Sequence, residues 1–444
     1  MSVVTTDLSA IEFWQQSDEQ RDEAFALLRR ESPIKHFDEP AYEDGGVSGF
    51  MGGAGYWALT RHADVWHVSR HPELFQSGQG VNIPDMPVEI AEFFGSMIAM
   101  DSPKHQQLRA LVQKGFTPKH IKQIDEYIDA KARSIVDAVQ AKGSCDFVTE
   151  IAAQLPLQII CDMLGIPASQ HQRIFELTNI ILGVGDPEYA SSMEELMAAA
   201  MELFQYSMSL GQERLDSPAD DITSALMHAE VDGRRLSTQE FGSFMILLVA
   251  AGNETTRNAI SHGMKLLTDN PEQRKIWMAD FEGVAPTAID EIVRLASPVI
   301  HFRRTATADT VIGGQPIAAG EKVVMWYTSA NRDEAKFDRP NAFDVLRPAG
   351  DQVGFGAGGP HFCLGANLAR REMYACSRSS SPACRTSRSP APPTCSSRPS
   401  STASSACRAR SRLRAEKVLV RGGFARLTSS VGTGLDTVWT QRIE

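Results

Sequence analysis

The stretch Phe244-Met245-Ile246-Leu247-Leu248-Val249-Ala250-Ala251-Gly252 is apolar on every face, and it restricts the folds open to this chain more than any other feature. It sits inside a longer helical pattern, Ser237 to Leu267, with Ser237 placed to cap it. A helix without a polar face has to run through the centre of a large protein, wrapped by other elements. The chain can supply those elements: it has 444 residues, 42% hydrophobic and 22% charged, a globular composition. The apolar run is far below the roughly 18 residues that a membrane span requires. Met1 to Ala10 has neither the basic cluster nor the apolar core of an export signal. A cytoplasmic protein with no membrane span is therefore expected. The formal net charge of -11 argues against a nucleic-acid binder.

Helical spacing recurs at Asp18 to Arg30, Lys119 to Ala141 and Pro271 to Ala296, where Pro271 suits a first helical position. Short β-like stretches lie at Tyr56 to Thr60, Thr310 to Ile317 and Lys322 to Trp326, each near Gly or Asp turn residues. The fold class expected is one large, mainly α domain with a small β part. Near Tyr374 the composition breaks. From Cys376 to Arg412 there is no Val, Ile, Leu, Met, Phe, Tyr or Trp, and no acidic residue. Such a segment cannot bury enough apolar area to offset its ordering entropy. It reads either as an Arg/Ser-rich nucleic-acid tail or as a GC-rich gene translated out of frame, and the second is the simpler. The organisation expected is a domain over 1–373, an aberrant Ser/Arg/Pro-rich segment over 374–415, and a remainder over 416–444 whose register the sequence does not fix.

The chain has seven cysteines and no C-x-x-C pair, so no disulfide framework is expected. Most cysteines default to small buried hydrophobes. Cys363 differs. It ends the stretch Gly354-Phe355-Gly356-Ala357-Gly358-Gly359-Pro360-His361-Phe362-Cys363-Leu364-Gly365 and stands just before a helical pattern, Ala366 to Glu372. Glycines let backbone come close and aim N–H groups at a sulfur, and a helix N-terminus favours a thiolate. Gly354, Gly356 and Gly359 also satisfy the dinucleotide fingerprint G-x-G-x-x-G. That reading lacks a preceding apolar strand, an uninterrupted helix and an acidic residue about 20 positions on.

The cysteine loop resembles the heme-binding signature of the cytochrome P450 family, with Phe355 one residue further from Cys363 than usual. Ala251-Gly252-Asn253-Glu254-Thr255-Thr256 is similar to that family's oxygen-activation motif, and Glu291 with Arg294 matches its E-x-x-R pair. The resemblance runs from about Phe13 to Met373 and includes Leu155-Pro156 to Gly165-Ile166-Pro167 and Asn331-Arg332-Asp333. Gly95-Ser96-Met97-Ile98 and Asn253 to Ile260 look closest to mycobacterial enzymes that hydroxylate the terminal carbon of methyl-branched lipids. The steroid side-chain (C26) hydroxylases are near relatives with the same terminal chemistry.

The resemblance implies a cytochrome P450 fold and heme b (iron protoporphyrin IX), with Cys363 as the metal ligand. It assigns His105, Arg109, Arg304 and His361 to the heme propionates. Ala251, Gly252, Phe355 and Gly365 come to lie against the cofactor. Thr255 and Glu254 manage oxygen and protons, the Thr255 hydroxyl bonding back toward the Ala251 carbonyl and locally bending the helix. Glu291, Arg294 and Arg347 form a structural set. Read without the resemblance, His105 and Arg109 are an exposed basic pair on a helix that Ser102 caps and Pro103 begins. The implied substrate is an apolar lipid or a cholesterol-like sterol, lined by Met97, Leu247 and Val299 within Val81 to Met100, Ile180 to Gly185, Phe244 to Ala251 and Val299 to Phe302. The implied partners are O2, a ferredoxin and an NAD(P)H-dependent ferredoxin reductase. A basic patch (Lys104, Lys114, Arg370, Arg371) is expected to steer the electron donor. Two alternatives stay open: a heme-binding chain whose catalysis is impaired by the altered C-terminus, and a peroxide-driven enzyme of similar fold, against which Thr255 and Glu254 speak.

Overall fold

Ser237 and Glu240 begin the long helix with a reciprocal capping box: each side chain accepts the other residue's backbone N–H, at 3.1 and 3.0 Å. In the computed structural model that helix runs unbroken over Thr238–Asp269. The structure describes residues 5–39, 53–116, 122, 124–142, 145–182, 192–231 and 233–380, with two further short strands at Ala409–Arg410 and Thr440–Gln441. The helices used below are α1 (Asp18–Glu31), α2 (Val88–Gly95), α3 (Lys104–Val112), α4 (Thr238–Asp269), α5 (Pro271–Ala279), α6 (Phe281–Ala296) and α7 (Ala366–Ser380). The strands are β1 (Ile34–Phe37), β2 (Tyr56–Leu59), β3 (Phe75–Gln76), β4 (His301–Ala306), β5 (Thr310–Ile312), β6 (Gln315–Ile317) and β7 (Lys322–Trp326).

Every residue from Phe244 to Ala250 is buried, as an all-round apolar helix requires. The helices Gln154–Met163 and Met193–Asp216 pack along α4, as do α2, α6 and α7, and their apolar faces form one large core around it. To one side lies a five-stranded sheet in the order β1-β2-β7-β4-β3, antiparallel except for the β2–β7 pair. β5 and β6 form a separate hairpin turned by Gly313 and Gly314, both at positive φ. The mainly α architecture with a small β part is the one expected.

Three local expectations change. Pro271 to Ala296 is two helices, because Asp280 leaves helical geometry and its carboxylate caps α6 through the Gly283 N–H at 3.1 Å. Helix α3 starts at Lys104, with Pro103 in the cap position and no side-chain cap. Neither Ser102 nor Asp101 serves there, and Asp101 accepts the N–H groups of Ser77 and Gly78 instead. The helix expected from Lys119 is present over Asp125–Lys142, its expected start lying outside the described residues. Most of 374–415 and 416–444 also lies outside them.

Glu291 and Arg294 face each other inside α6, both essentially buried. Arg294 donates to both carboxylate oxygens at 2.7 and 2.8 Å, and to the carbonyls of Asn331, Pro340 and Ala342. Arg347 closes on the same carboxylate at 3.1 Å. Removing one member of a buried pair strands the other charge, which costs about 3–5 kcal/mol. Arg294→Ala should therefore lower the urea midpoint far more than Arg347→Ala, whose side chain reaches solvent. Equal midpoints would show that the pair does not anchor the loops it touches.

Candidate active site

A cavity lies between α4, the start of α7, β4 and the cysteine loop. Its walls are mostly apolar, and Met97, Leu247 and Val299 all line it. Val81, Ile98, Phe244, Leu248 and Phe302 do so too. Ile180 to Leu182 do not, and residues 183–185 lie outside the described ones.

The cysteine loop takes its shape from two glycines. Gly359 has φ +80°, and a Cβ there would stand 2.2 Å from the Ser69 carbonyl oxygen, so no other residue fits. Gly356 turns the chain at φ +92°. The Cys363 N–H then donates to the Phe355 carbonyl at 2.9 Å, and the side chain, though surrounded by protein, is exposed to the cavity. Burial pushes the Cys363 thiol up; the Gly365 N–H, Arg109 and Arg370 oppose this by favouring the thiolate. Arg370 stacks over the Phe355 ring at 4.4 Å and is held by Asp290 at 2.9 Å, so Phe355 lines the cavity despite its extra residue of spacing. No strand precedes Gly354, and the next helix begins only at Ala366, so the dinucleotide reading fails on context.

His105, Arg109, Arg304 and His361 meet at one end of the cavity. The two imidazoles are 4.2 Å apart. Arg109 donates to the Phe362 carbonyl at 2.7 Å and Arg304 to the Arg303 carbonyl at 2.7 Å, but among the described residues neither forms an ion pair with a carboxylate. Burial and then Arg109 push His105 down to about 4; Asp101 opposes them, and Arg304 adds a smaller push. Burial and the same two arginines with His105 hold His361 well below the usual histidine range. His105 Nε2 is buried without a partner. Buried Arg304, half-buried Arg109 and an orphaned ring nitrogen facing a cavity suit a dianion, because buried charge is tolerated only when it is paired. Together with the Cys363 thiol at the cavity floor, this donor set fits heme and its two propionates.

Opposite Cys363, Ala251, Gly252, Thr255 and Thr256 of α4 line the cavity. The Thr255 hydroxyl donates to the Ala251 carbonyl at 2.7 Å, which leaves its oxygen free to accept. A Cβ on Gly252 would come no nearer than 3.9 Å to any neighbour, so the small residue leaves space on that face. Glu254 is buried, ion-paired with Arg257 and bonded to Asn258 Nδ2 at 3.3 Å. In this arrangement its carboxylate is turned from solvent.

Tyr327 and Glu372 are among the cavity residues that escaped the sequence reading. Tyr327 is a buried phenol beside β4, and Glu372 is a buried acid on α7. The only signal for Glu372 was its place, nine positions after Cys363 on a helix whose neighbours Leu368 and Met373 also face inward. The basic patch needs correction: Lys104 pairs with Glu92, Arg370 with Asp290, and Arg371 with Asp125 and Asp129. These carboxylates cancel most of the field, and the Lys114 side chain lies outside the described residues.

The cytochrome P450 family model matches residues 284–377. A methyl-branched lipid omega-hydroxylase of Mycobacterium tuberculosis is 50% identical over 374 residues, 84% of this chain and 86% of the relative. A steroid C26-monooxygenase of Mycolicibacterium smegmatis is 41% identical over 353 residues, 78% and 80% of the two chains. Among solved structures, a Mycobacterium marinum cytochrome P450 in complex with pseudoionone matches with TM-score 0.79 at 43% identity, over 85% of this chain and 92% of that one. Among the described residues, no single helix is long and apolar enough to cross a membrane.

Burial alone pushes the Glu372 carboxyl up from 4.5 to about 8. A raised folded value means stability that is complete below the unfolded value and is lost as pH rises toward the folded one. The melting temperature should therefore fall between about pH 5 and pH 8, and Glu372→Gln should flatten that slope. An unchanged slope in the variant would assign the pH dependence elsewhere.

Proposed function

Since this chain belongs to the cytochrome P450 family and is a heme monooxygenase, we propose that it hydroxylates a terminal carbon of a methyl-branched lipid. The observation that carries this is the apolar cavity leading down to Cys363, in a chain that is 50% identical over 374 residues to a methyl-branched lipid omega-hydroxylase. The side chain of a cholesterol-like sterol is the second substrate reading, supported by the 41% identity to a steroid C26-monooxygenase.

Heme, when bound, supplies the iron chemistry that splits O2 and delivers one oxygen atom to an unactivated C–H bond. Cys363 provides the thiolate ligand, and the Gly365 N–H tempers its charge. His105, Arg109, Arg304 and His361 hold the propionates. Thr255, its proton committed to Ala251, offers an acceptor oxygen above the site. Glu254 delivers protons from solvent after exchanging Arg257 for water. Met97, Leu247 and Val299 exclude water and orient the alkyl terminus, Ala251, Gly252 and Phe355 shaping the surface against the cofactor. Electrons are assigned to a ferredoxin fed by an NAD(P)H-dependent reductase in the cytoplasm, because the chain's one Gly-x-Gly-x-x-Gly run is committed to the cysteine loop.

A second reading, heme binding without turnover, draws on the end of α7. There Ser377 and Ser380 stand in a groove with Met264, Leu267 and Met278, hydroxyls against apolar side chains. We take residues 1–373 as the working domain and the 374–415 segment as an out-of-frame reading. Re-reading the gene around codon 373 tests this, and DNA that confirms the present frame removes it.

The carbon monoxide difference spectrum of the dithionite-reduced chain tests the function. The red-shifted thiolate band should appear in the protein and be lost in Cys363→His. Incubation with a methyl-branched fatty acid or cholesterol, a ferredoxin and its reductase should then yield a terminal alcohol by mass spectrometry. A thiolate band without product, or bound heme with only a blue-shifted band, favours the impaired reading, and absence of heme refutes both.

A further inference from the structure

Beside the cavity lies a loop with little regular structure, held at its start by the Asp101 carboxylate, which accepts the Ser77 and Gly78 N–H groups. Residues 77–87 carry Gly78 and Gly80 on either side of Gln79, and Gly80 sits at φ +109°. Two glycines in three positions give a chain many alternative conformations. Yet Val81 of this loop is buried on the cavity wall, and the chain continues through α2 into the turn Ser96–Ala99, where Met97 and Ile98 also line the cavity. Something has to fix it.

Arg303 does. It sits in β4 between Phe302 and Arg304, which both face the cavity, and strand alternation sends its own side chain the other way. Its backbone N–H donates to the Val81 carbonyl at 2.8 Å. Its guanidinium is buried and meets the carbonyls of Gln79 at 3.0 Å, Asn82 at 3.2 Å, Ile83 at 3.3 Å and Pro84 at 3.4 Å. One nitrogen has only two hydrogens, so several of these contacts are shared, with the loop's carbonyl dipoles turned inward around a single charge. The Asp85 carboxylate completes the ring, 2.7 Å from Arg303 Nη1 and 2.7 Å from Lys322 Nζ on β7. Lys322 also pairs with Glu39. The loop is thus tied to the two central strands of the sheet by charge.

We propose that Arg303, with Asp85 as its counter-charge, is a positioning residue for the substrate: it gathers residues 79–85 onto β4 and so sets the cavity wall formed by Val81, Met97 and Ile98. Adjacent residues of one strand then serve two ends of the same cavity, Arg304 among the cations and Arg303 behind the apolar wall. The proposal takes heme binding from the reading above and does not depend on which lipid is the substrate.

The test uses the heme-loaded full chain, as wild type, Arg303→Lys and Asp85→Asn, and two ligands that reach the iron through the same head group. Imidazole touches little of the wall; 1-dodecylimidazole lays its alkyl tail along it. Optical titration should give an unchanged dissociation constant for imidazole. That for 1-dodecylimidazole should weaken about tenfold in Arg303→Lys, the usual effect of breaking charged hydrogen bonds, and less in Asp85→Asn. Amide exchange should quicken across 79–99 and stay unchanged in α4 and α7. Parallel weakening of both ligands, no weakening of the dodecyl ligand, or loss of heme from Asp85→Asn would each overturn the proposal, since each makes the network general scaffolding. Retained wall selectivity with no hydroxylated lipid would instead count against the substrate assignment alone.

Discussion

Everything beneath the cavity hangs on one buried guanidinium, that of Arg294. Burial lowers its affinity for a proton and Glu291 only partly opposes this, yet a guanidinium keeps its charge in the interior. Its hydrogen bonds reach three carbonyls between Asn331 and Ala342, a stretch with almost no regular structure of its own. Asn331 in turn gives its side-chain carbonyl to the Val353 N–H at 2.7 Å, two residues before Phe355. The path from the ion pair to the cysteine loop is therefore short and made of buried hydrogen bonds. A loop of glycines can hold a thiol in one place because what precedes it cannot move.

The cavity itself is electrically lopsided. At one end buried Arg304, half-buried Arg109 and two imidazoles crowd together with only Asp101 acting on them as a counter-charge; along the rest, apolar side chains leave little polar surface. Such a site selects a ligand with an anionic edge and an apolar body, and leaves apolar room beside it. Thr255 on the cavity wall, with Glu254 next to it in α4, suits proton traffic, but Glu254 rests on Arg257, which makes that traffic a matter of side-chain exchange.

Much of this could be read from the sequence, and the successes share a cause. The apolar run in α4, its Ser237 cap, β7 and the cysteine loop are local patterns whose residues interact mainly with near neighbours, so spacing alone exposes them. His105 and Arg109 were recognisable as a helical pair, but as exposed ones; only the approach of Arg304 and His361 from distant parts of the chain gives them a common target. The break at Asp280 was missed because helical periodicity continues through it, and the capping aspartate competes with it without leaving a mark. The apparent basic patch failed for the opposite reason. Asp125, Asp129 and Asp290 are far away in sequence and adjacent in space. Glu372 and Arg303 were invisible for a related reason: a charged residue on an otherwise regular helix or strand looks solvated until its surroundings are known.

The crowded cations have a consequence for how such a protein comes to be folded. A dianion that binds them acts as a counter-ion as well as a cofactor, and whatever binds only the folded state shifts the folding equilibrium toward it by mass action. Heme supply and conformational stability are then two readings of one quantity. A lesion far from the iron, in α7 or beyond it, would first be noticed as pale protein, and a richer supply of heme would partly repair a defect that never touched the binding site.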